Sequence, residues 1–342
     1  MNNSQTEILK LENLTVGYGS GKNAIILLNN INKSVYEGEM IALTGRNGTG
    51  KSTLLRTISG LQAPLGGNIF IKGRKIKEFS RIDMAREVGY ISTEPLKVPD
   101  MRVYDMIALG RFPHTGWFGR IDHESHIKII ESAERAGISS FIHRPLNELS
   151  DGEYQRAMIA RVIAQDSSVL FLDEPTAFLD IRSKFEILSL LYDLSRKRMR
   201  TIVFTTHDIE TAAGISDRIW LLLDGSIIEG APEDLYLSGH IEHLFRSSIV
   251  DIEFKNGGFH LRKQTSGRVI VAGEGIIKFW TERAMERIGF EPCNEKCPFK
   301  VITPSNDKKK WTLISETSEF EFDSLYSLTR WMNGITREKF NG

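Results

Sequence analysis

The sequence has few cysteines, no excess of either charge and no long apolar run. Only Cys293 and Cys297 are cysteines among 342 residues, which argues against a secreted disulfide-rich domain and favours a reducing compartment. Lysine plus arginine and aspartate plus glutamate are equal at 44 each, so the chain has no global positive field that would attract nucleic acid. The low cysteine content and the balanced charge predict a cytoplasmic protein without a nucleic-acid partner.

Apolar segments are short throughout the sequence. None approaches the roughly 20 apolar residues that are needed to span a bilayer. The N-terminus, Met1-Asn2-Asn3-Ser4, lacks the charged start and apolar core that are typical of a signal peptide. If this protein acts at a membrane, we therefore expect it to be a peripheral protein.

The chain is long enough for two domains. Residues 1–248 alternate short apolar runs with helical periods, which is typical of an α/β domain with a largely parallel sheet. The runs that predict strands are Met40–Thr44, Val169–Leu172, Thr201–Thr205 and Arg218–Leu223. Between the second and third of these runs, a helix is predicted from the spacing of Phe185, Leu188, Leu191 and Leu194.

The sequence pattern of residues 249–342 predicts a small α+β module. Asn256, Gly257 and Gly258 indicate a hairpin, and strands are predicted at Val269–Ala272 and Trp311–Ile314. The helices are predicted after Gly275 and over Asp323–Trp331, the first with an apolar stripe of Ile277, Trp280, Ala284 and Ile288. This module is either a dimer-clamping or regulatory element or a simple stabilising appendage. Because no histidine lies near Cys293 and Cys297, two reduced thiols are predicted rather than a zinc site.

A glycine-rich loop follows the first predicted strand. The segment Gly45-Arg46-Asn47-Gly48-Thr49-Gly50-Lys51-Ser52 has the spacing of a phosphate-binding loop and precedes a helix-forming run. Its backbone N–H groups would point at phosphates, and the helix start adds a positive end. Lys51 offers a charge to the β- and γ-phosphates, and Ser52 offers a hydroxyl to Mg²⁺. The residues predicted to bind the nucleotide here are Gly45, Asn47, Gly48, Gly50, Lys51, Ser52 and Thr53.

Two carboxylates follow the second predicted strand. Asp173 and Glu174 come directly after Val169–Leu172, at the edge where open α/β sheets hold their ligands. One carboxylate suits a contact to Mg²⁺, and the other suits the activation of an attacking water. Asp173 is therefore predicted as a metal residue and Glu174 as the catalytic base.

The segment Leu149-Ser150-Asp151-Gly152-Glu153-Tyr154-Gln155-Arg156 resembles the signature motif of ABC ATPases. Other landmarks of that family match in the expected order, over about the first 245 residues. Tyr18 corresponds to the aromatic residue that stacks on adenine, Phe178-Leu179-Asp180 resembles the D-loop, and His207 after Thr205-Thr206 resembles the switch histidine.

The resemblance implies a machine of two chains that close on two ATP molecules. In the family, Ser150 and Gly152 would contact the ATP held by the opposing subunit, and Asp180 would lie near the nucleotide. Lys51, Glu174 and His207 are the implied catalytic residues.

The sequence departs from the family pattern at three positions. Thr93 occupies the position of the Q-loop glutamine, so either Thr93 or Glu94 would contact Mg²⁺, and Thr93 is the residue predicted. Asp151 replaces a usual glycine, and Phe178 stands where a small residue is common.

The segment from Leu109 to Arg120 resembles the Gly-Arg-x-Pro-His segment of ATPases that serve iron-siderophore, haem and cobalamin importers. An exposed mixture of aromatic and basic side chains is expected there, docked on polytopic permease subunits. The implied fold is an α/β P-loop ABC-type nucleotide-binding domain with a helical subdomain, plus the small C-terminal α+β module. The implied place is the cytoplasmic face of the cell (inner) membrane, with a periplasmic or surface substrate-binding protein as an indirect partner. The alternatives are an ATPase of another transporter class or a soluble ABC ATPase.

Overall fold

The computed structural model describes residues 6–19, 21–94, 98, 100–116, 120–245, 252–255, 258–261, 266–295, 297–305 and 309–340. The chain divides into two compact units, Met1–Phe245 and Arg246–Gly342. The sequence predicted the boundary between the units after residue 248, which is three residues C-terminal to the boundary in the structure.

The first unit alternates strands with helices. Its strands are β1 (Glu7–Tyr18), β2 (Ile25–Tyr36), β3 (Met40–Gly45), β4 (Gly66–Ile71), β5 (Arg74–Lys75), β6 (Val88–Ile91), β7 (Val169–Leu172), β8 (Thr201–Thr205), β9 (Arg218–Leu223) and β10 (Ser226–Gly230). Its α-helices are α1 (Lys51–Ile58), α2 (Arg81–Glu87), α3 (Val103–Leu109), α4 (His123–Arg135), α5 (Asp151–Gln165), α6 (Ile181–Arg198), α7 (Ile209–Ile215), α8 (Pro232–Leu237) and α9 (His240–Phe245). The four predicted strands are confirmed as β3, β7, β8 and β9.

Within the described residues, the larger sheet has the strand order β10-β9-β3-β8-β7-β6. The strands from β9 to β6 are parallel, and β10 is antiparallel to β9. Every residue of β3, β7 and β8 is buried, as expected of central parallel strands covered on both faces. Parallel order brings the carboxyl ends of β3, β7 and β8 to one edge of the sheet, where the predicted site residues begin.

Sequence periodicity did not predict the second sheet of this unit. It is antiparallel, with the strand order β2-β1-β4-β5. Its inner face joins the core of the larger sheet through Leu9, Leu11, Val16 and Ile71. Several register shifts interrupt the pairing of β1 with β2, which explains why a clean alternation of apolar and polar residues is missing.

Helix α6 confirms the predicted helix between β7 and β8, but its buried face differs from the predicted one. Leu188, Leu191 and Leu194 are buried, whereas Phe185 is 64% exposed and Ile187 is fully buried. The later turns of α6 therefore pack against the sheet, whereas Phe185 near the start of the helix faces solvent. Helices α3, α4 and α5 pack on one another and form the helical subdomain.

The second unit is a small α+β module. Its elements are β11 (Ile252–Lys255), β12 (Gly258–Leu261), β13 (Gly267–Ala272), α10 (Gly275–Arg287), β14 (Phe290–Pro292), β15 (Phe299–Ile302), β16 (Trp311–Ile314), β17 (Glu319–Phe322) and α11 (Leu325–Phe340). β11 and β12 form the predicted hairpin, although its turn at Asn256 and Gly257 lies outside the described residues. The described residues of the main sheet follow the order β14-β13-β15-β16-β17, parallel around β13 and antiparallel from β15 onward.

The core of this unit lies between its main sheet and its two helices. Helix α10 buries Thr281, Ala284, Met285 and Ile288 at helical spacing, while Ile277 and Trp280 are 40% and 58% exposed. The predicted stripe is therefore wrong in its first half, because the packed face lies one position further round the helix. Beneath that face, the indole N–H of Trp311 donates to the Thr281 hydroxyl at 3.0 Å.

The sulfur atoms of Cys293 and Cys297 lie together after β14, but the two Cα atoms are 7.4 Å apart, further than a disulfide bond normally spans. Two reduced thiols at these positions stay a prediction. The described residues contain no group of three or more histidine, cysteine or acidic side chains that could hold a metal ion.

Candidate active site

The phosphate-binding loop connects β3 to α1, as its spacing predicts. Gly45 and Gly50 have positive φ angles of 155° and 98°, which side chains rarely adopt. A Cβ on Gly45 would also lie 2.7 Å from the carbonyl oxygen of Leu222. Asn47 and Gly48 are exposed at the tip of the loop. The loop therefore depends on glycine at its two ends and leaves its tip open to a ligand.

Lys51 is buried in the first turn of α1, only 6% exposed. Its Nζ donates to the carbonyl oxygens of Gly45 at 2.9 Å and Arg46 at 3.0 Å. Burial lowers the pKa of Lys51, although the nearby carboxylates of Glu174 and Asp173 act in the opposite direction. The ammonium group is thus held inside the loop, where it lacks most of its hydration.

Ser52 and Asp173 meet although 121 positions separate them in the chain. The Ser52 hydroxyl donates to Oδ1 of Asp173 at 3.0 Å. The Thr205 hydroxyl donates to the same oxygen at 2.7 Å. Sequence reasoning missed Thr205 as a site residue, because a threonine that ends a buried strand carries no distinguishing local signal. Hydroxyl and carboxylate oxygens are the ligands that Mg²⁺ prefers, so this pair fits a magnesium ion.

Thr93 follows β6, the neighbour of β7. Its hydroxyl donates to the main-chain carbonyl of Asp173 at 2.9 Å. Glu94 is exposed, and its N–H donates to the Ser92 hydroxyl at 3.2 Å. Thr93 therefore lies beside the predicted metal residue, and its own contact to a metal stays a prediction.

Glu174 and His207 form a pair at the end of the sheet. Oε1 of Glu174 lies 2.5 Å from Nε2 of His207. The backbone of Glu174 has a positive φ of 49°, and its N–H donates to the Thr205 hydroxyl at 2.7 Å. This uncommon conformation turns the Glu174 side chain away from the strand direction and toward the loop that follows β8.

The signature residues begin helix α5. Ser150 caps the helix by accepting from the N–H of Glu153, and the Glu153 carboxylate accepts from the N–H of Ser150 at 2.8 Å. That second bond is the main reason why the pKa of Glu153 is lowered. Asp151 is exposed at the first helical position. The N-terminus of α5 is therefore a capped helix start whose N–H groups suit an anion, and Asp151 and Glu153 place two carboxylates in its first turn.

Helix α6, which the D-loop residue Asp180 caps, lies against the signature segment at Gly152. Asp180 caps α6 by accepting from the N–H of Ser183 at 2.9 Å, and this bond is the main reason for its lowered pKa. A Cβ on Gly152 would lie 2.8 Å from the Ser183 hydroxyl. Phe178 has a positive φ of 64° and is 88% exposed. The starts of α5 and α6 thus form one surface, and Phe178 protrudes beside it.

Tyr18 ends β1 and is half exposed. Its hydroxyl is hydrogen-bonded to the hydroxyl of Thr53 in the first turn of α1. The ring therefore lies beside the phosphate-binding loop, where a base could stack on it.

The segment expected to dock on a permease is partly internal. Arg111 is only 6% exposed, and its Nη1 donates to the carbonyl oxygen of Ala164 at 2.9 Å. His114 Nε2 lies 2.8 Å from the carbonyl oxygen of Gln165. Both residues satisfy carbonyl groups at the C-terminus of α5, where positive charge is favoured. The expectation of exposed basic residues is therefore wrong for Arg111.

Gly110 in the same segment allows α3 to approach α5, because a Cβ there would lie 2.0 Å from the carbonyl oxygen of Arg161. Phe112 is 67% exposed and Leu109 is 46% exposed. Trp117 and Phe118, which completed the expected aromatic surface, lie outside the described residues. In the described part of the segment, Leu109 and Phe112 are exposed apolar residues and Arg120 is an exposed basic residue.

Sequence profiles of known families match both units. The ABC transporter profile matches residues 28–177, and the profile of the iron ABC transporter C-terminal domain matches residues 266–333. An AAA domain profile also matches residues 142–213. The second match covers most of the tail, in which the sequence motifs carried no resemblance.

Individual relatives agree with these profiles. An uncharacterised ABC transporter ATP-binding protein of Methanocaldococcus jannaschii is 38% identical over 239 residues, 70% of this chain and 81% of the relative. The ferric enterobactin transport ATP-binding protein of Escherichia coli is 33% identical over 246 residues, 71% of this chain and 89% of the relative. The chain therefore belongs to the family of ABC transporter ATP-binding proteins.

A solved structure of an ATP-binding cassette is similar to this chain. The dimeric ATP-binding cassette MJ0796, in a post-hydrolysis state with ADP and Pi, has a TM-score of 0.59 and 29% identity, covering 66% of this chain and 99% of that one. The predicted fold, ATP as ligand and the ATPase activity are confirmed, and the chain is an ABC-type ATPase. Among the helices in the described part of the chain, none is long and apolar enough to cross a membrane.

Proposed function

We propose that this ATPase energises a membrane importer for iron chelates of the siderophore type. The observation that carries the proposal is the match of residues 266–333 to the iron ABC transporter C-terminal domain. The similarity to the ferric enterobactin transport ATP-binding protein supports the same cargo class. Haem and cobalamin chelates are the competing cargoes of this importer group.

The proposed reaction is the hydrolysis of ATP to ADP and phosphate. Lys51 exchanges its two loop carbonyls for the β- and γ-phosphates, and the N–H groups of Gly48 and Gly50 turn toward the same oxygens. Glu174 accepts a proton from the attacking water, while His207 holds the Glu174 carboxylate and reaches the γ-phosphate. The Tyr18 ring stacks on adenine.

Mg²⁺ would be held by Ser52 and Asp173, whose oxygens already converge at 3.0 Å. When bound, it neutralises charge on the β- and γ-phosphates. Thr93 lies next to Asp173 and is the proposed third contributor from the protein. The protein's own part is to orient these oxygens toward the phosphate-binding loop.

We propose a second copy of the chain as the partner across two ATP molecules. Ser150 and Gly152 begin a helix whose N–H groups and positive end suit the γ-phosphate of ATP held by the other copy. Asp180 lies at the same surface, so closure of the pair completes each site. The dimeric structure of the similar cassette supports this arrangement.

The membrane partner is a polytopic permease, and a periplasmic or surface binding protein delivers the cargo to it. Phe112 and Leu109 are exposed apolar side chains on the helical subdomain, and they suit a hydrophobic contact with a permease helix. Attachment through such a contact places the chain at the cytoplasmic face of the membrane as a peripheral subunit.

The test is reconstitution of the purified chain in lipid vesicles with a permease and a ferric-siderophore-binding protein from the same organism. Addition of a ferric siderophore on the binding protein should raise ATPase activity and load the vesicles with iron. Stimulation by haem or cobalamin alone would reassign the cargo. ATPase activity that is unchanged by any permease would contradict the importer function.

A further inference from the structure

Thr205 lies at the centre of the active-site edge of the sheet. It ends β8 and is fully buried, with β3 on one side and β7 on the other. The strand β3 leads into the phosphate-binding loop, and β7 leads into Asp173 and Glu174. Two positions further along, the chain reaches His207. Thr205 therefore stands between all the segments that supply the proposed hydrolytic residues.

The hydroxyl of Thr205 is committed to the two acidic residues. It donates its single proton to Oδ1 of Asp173 at 2.7 Å and accepts the N–H of Glu174 at 2.7 Å. Valine has nearly the same shape but can do neither, and it would leave the N–H of Glu174 without this partner.

Each of these two bonds orients a different group. Oδ1 of Asp173 is also the acceptor for Ser52, so the bond from Thr205 fixes the rotation of the carboxylate that faces the metal position. The bond from the N–H of Glu174 holds a residue whose φ of 49° is otherwise disfavoured. That backbone conformation directs the Glu174 side chain to His207.

We propose that Thr205 is a positioning residue for ATP hydrolysis, which orients the Asp173 carboxylate for Mg²⁺ and the Glu174 backbone for its role as base. This inference rests on the proposed roles of Asp173 and Glu174, but it does not depend on the cargo or the permease. It assigns a function to the strand that precedes the switch histidine, rather than to that histidine alone.

The test compares Thr205→Val with a matched control, Thr201→Val, in the purified full-length chain. Thr201 begins the same strand, is equally buried and also makes two hydrogen bonds, accepting from Gly38 at 3.1 Å and donating to Tyr36 at 3.3 Å. Both variants should lose similar thermal stability. Only Thr205→Val should lower the kcat of ATP hydrolysis, by about 10- to 100-fold, as is typical when support of a metal ligand is removed.

Metal binding gives a readout that does not depend on turnover. With ADP bound, Thr205→Val should weaken Mn²⁺ binding, followed by electron paramagnetic resonance, by about tenfold, and the KM for the Mg²⁺ complex of ATP should rise with it, because metal and nucleotide bind as linked ligands. Thr205→Ser keeps the hydroxyl and should restore both kcat and Mn²⁺ binding. Equal effects of Thr205→Val and Thr201→Val on kcat, with unchanged Mn²⁺ binding, would overturn the proposal. Failure of Thr205→Ser to restore either quantity would also overturn it.

Discussion

Nε2 of His207 lies 2.5 Å from Oε1 of Glu174, although the two residues follow different strands and are separated by helix α6 in the chain. Glu174 reaches this position because its backbone takes a left-handed conformation directly after β7. The imidazole can therefore orient the carboxylate from the side of the neighbouring strand. This arrangement leads to the most direct test of the hydrolytic mechanism.

Substitution Glu174→Gln should keep ATP binding and abolish turnover. Glutamine preserves the shape of the side chain but cannot accept a proton from water, so kcat should fall by about 100-fold or more. Phosphate release and equilibrium binding of a fluorescent ATP analogue measure the two quantities separately. Glu210→Gln, in the first turn of α7, is the control and should retain the wild-type rate. A Glu174→Gln chain that hydrolyses ATP at a near-normal rate would remove Glu174 from the role of base.

Substitution Gly152→Ala should weaken the pairing of two chains on ATP. The new Cβ would lie 2.8 Å from the hydroxyl and 3.0 Å from the Cβ of Ser183, so the start of α6 must shift. This overpacking strains the single chain and the dimer alike, but it also displaces the start of α5 from the position proposed to contact the partner's ATP, so dimer affinity should fall by about tenfold.

The pairing can be measured by analytical ultracentrifugation in a Glu174→Gln background, in which ATP persists. Gly214→Ala is the control, because a Cβ at Gly214 meets nothing within 4 Å. ATP binding by single chains should survive in both variants. Unchanged ATP-dependent dimerisation of the Gly152→Ala chain would argue against a contact of this surface with the partner's nucleotide.

Substitution Arg111→Met should lower the stability of the chain, whereas Phe112→Ala should affect only the coupling of ATPase activity to the permease. Loss of the buried bond from Arg111 to Ala164 should lower the free energy of unfolding by about 2 kcal/mol. Phe112 is exposed, so its truncation should change stability by less than about 0.5 kcal/mol. Urea denaturation gives these values.

The same two variants can be assayed with the permease. Phe112→Ala should reduce the permease-dependent stimulation of ATPase activity while leaving the basal rate intact. If Phe112→Ala keeps full stimulation, the exposed part of this segment is not the docking surface.

ATP binding should take up protons at alkaline pH. Burial lowers the pKa of Lys51 below its usual 10.5, so in the free protein the ammonium is partly deprotonated between the lowered pKa and 10.5. The triphosphate raises that pKa again, so the bound state holds more protons than the free state. Calorimetry in two buffers of different ionisation enthalpy measures this uptake.

Lys51→Arg is the matched control for proton uptake. The guanidinium stays charged across this pH range, so its binding enthalpy should not depend on the buffer through this group. Equal proton uptake by both chains would place the titrating group elsewhere.

Much of the active site could be predicted from local sequence. The phosphate-binding loop, Asp173 and Glu174 each follow an apolar run that is itself a strand signal, so their position at the sheet edge follows from the order of parallel strands. The capped start of α5 at Ser150 and Glu153 could likewise be predicted, because a capping box is a local sequence pattern.

Residues whose role depends on distant contacts could not be predicted in this way. Thr205 and Asp173 are 32 positions apart, and Arg111 and Ala164 are 53 apart, so neither bond leaves a local pattern. Phe185 and Trp280 fit helical stripes but are exposed, because the direction of a helix's packed face is set by what it packs against. The sequence by itself determined the family, the nucleotide chemistry and the order of the motifs, since these depend on residue type and spacing. Only the tertiary structure decided which side chains support that chemistry, because burial and hydrogen bonding are properties of residues brought together from separate strands and helices.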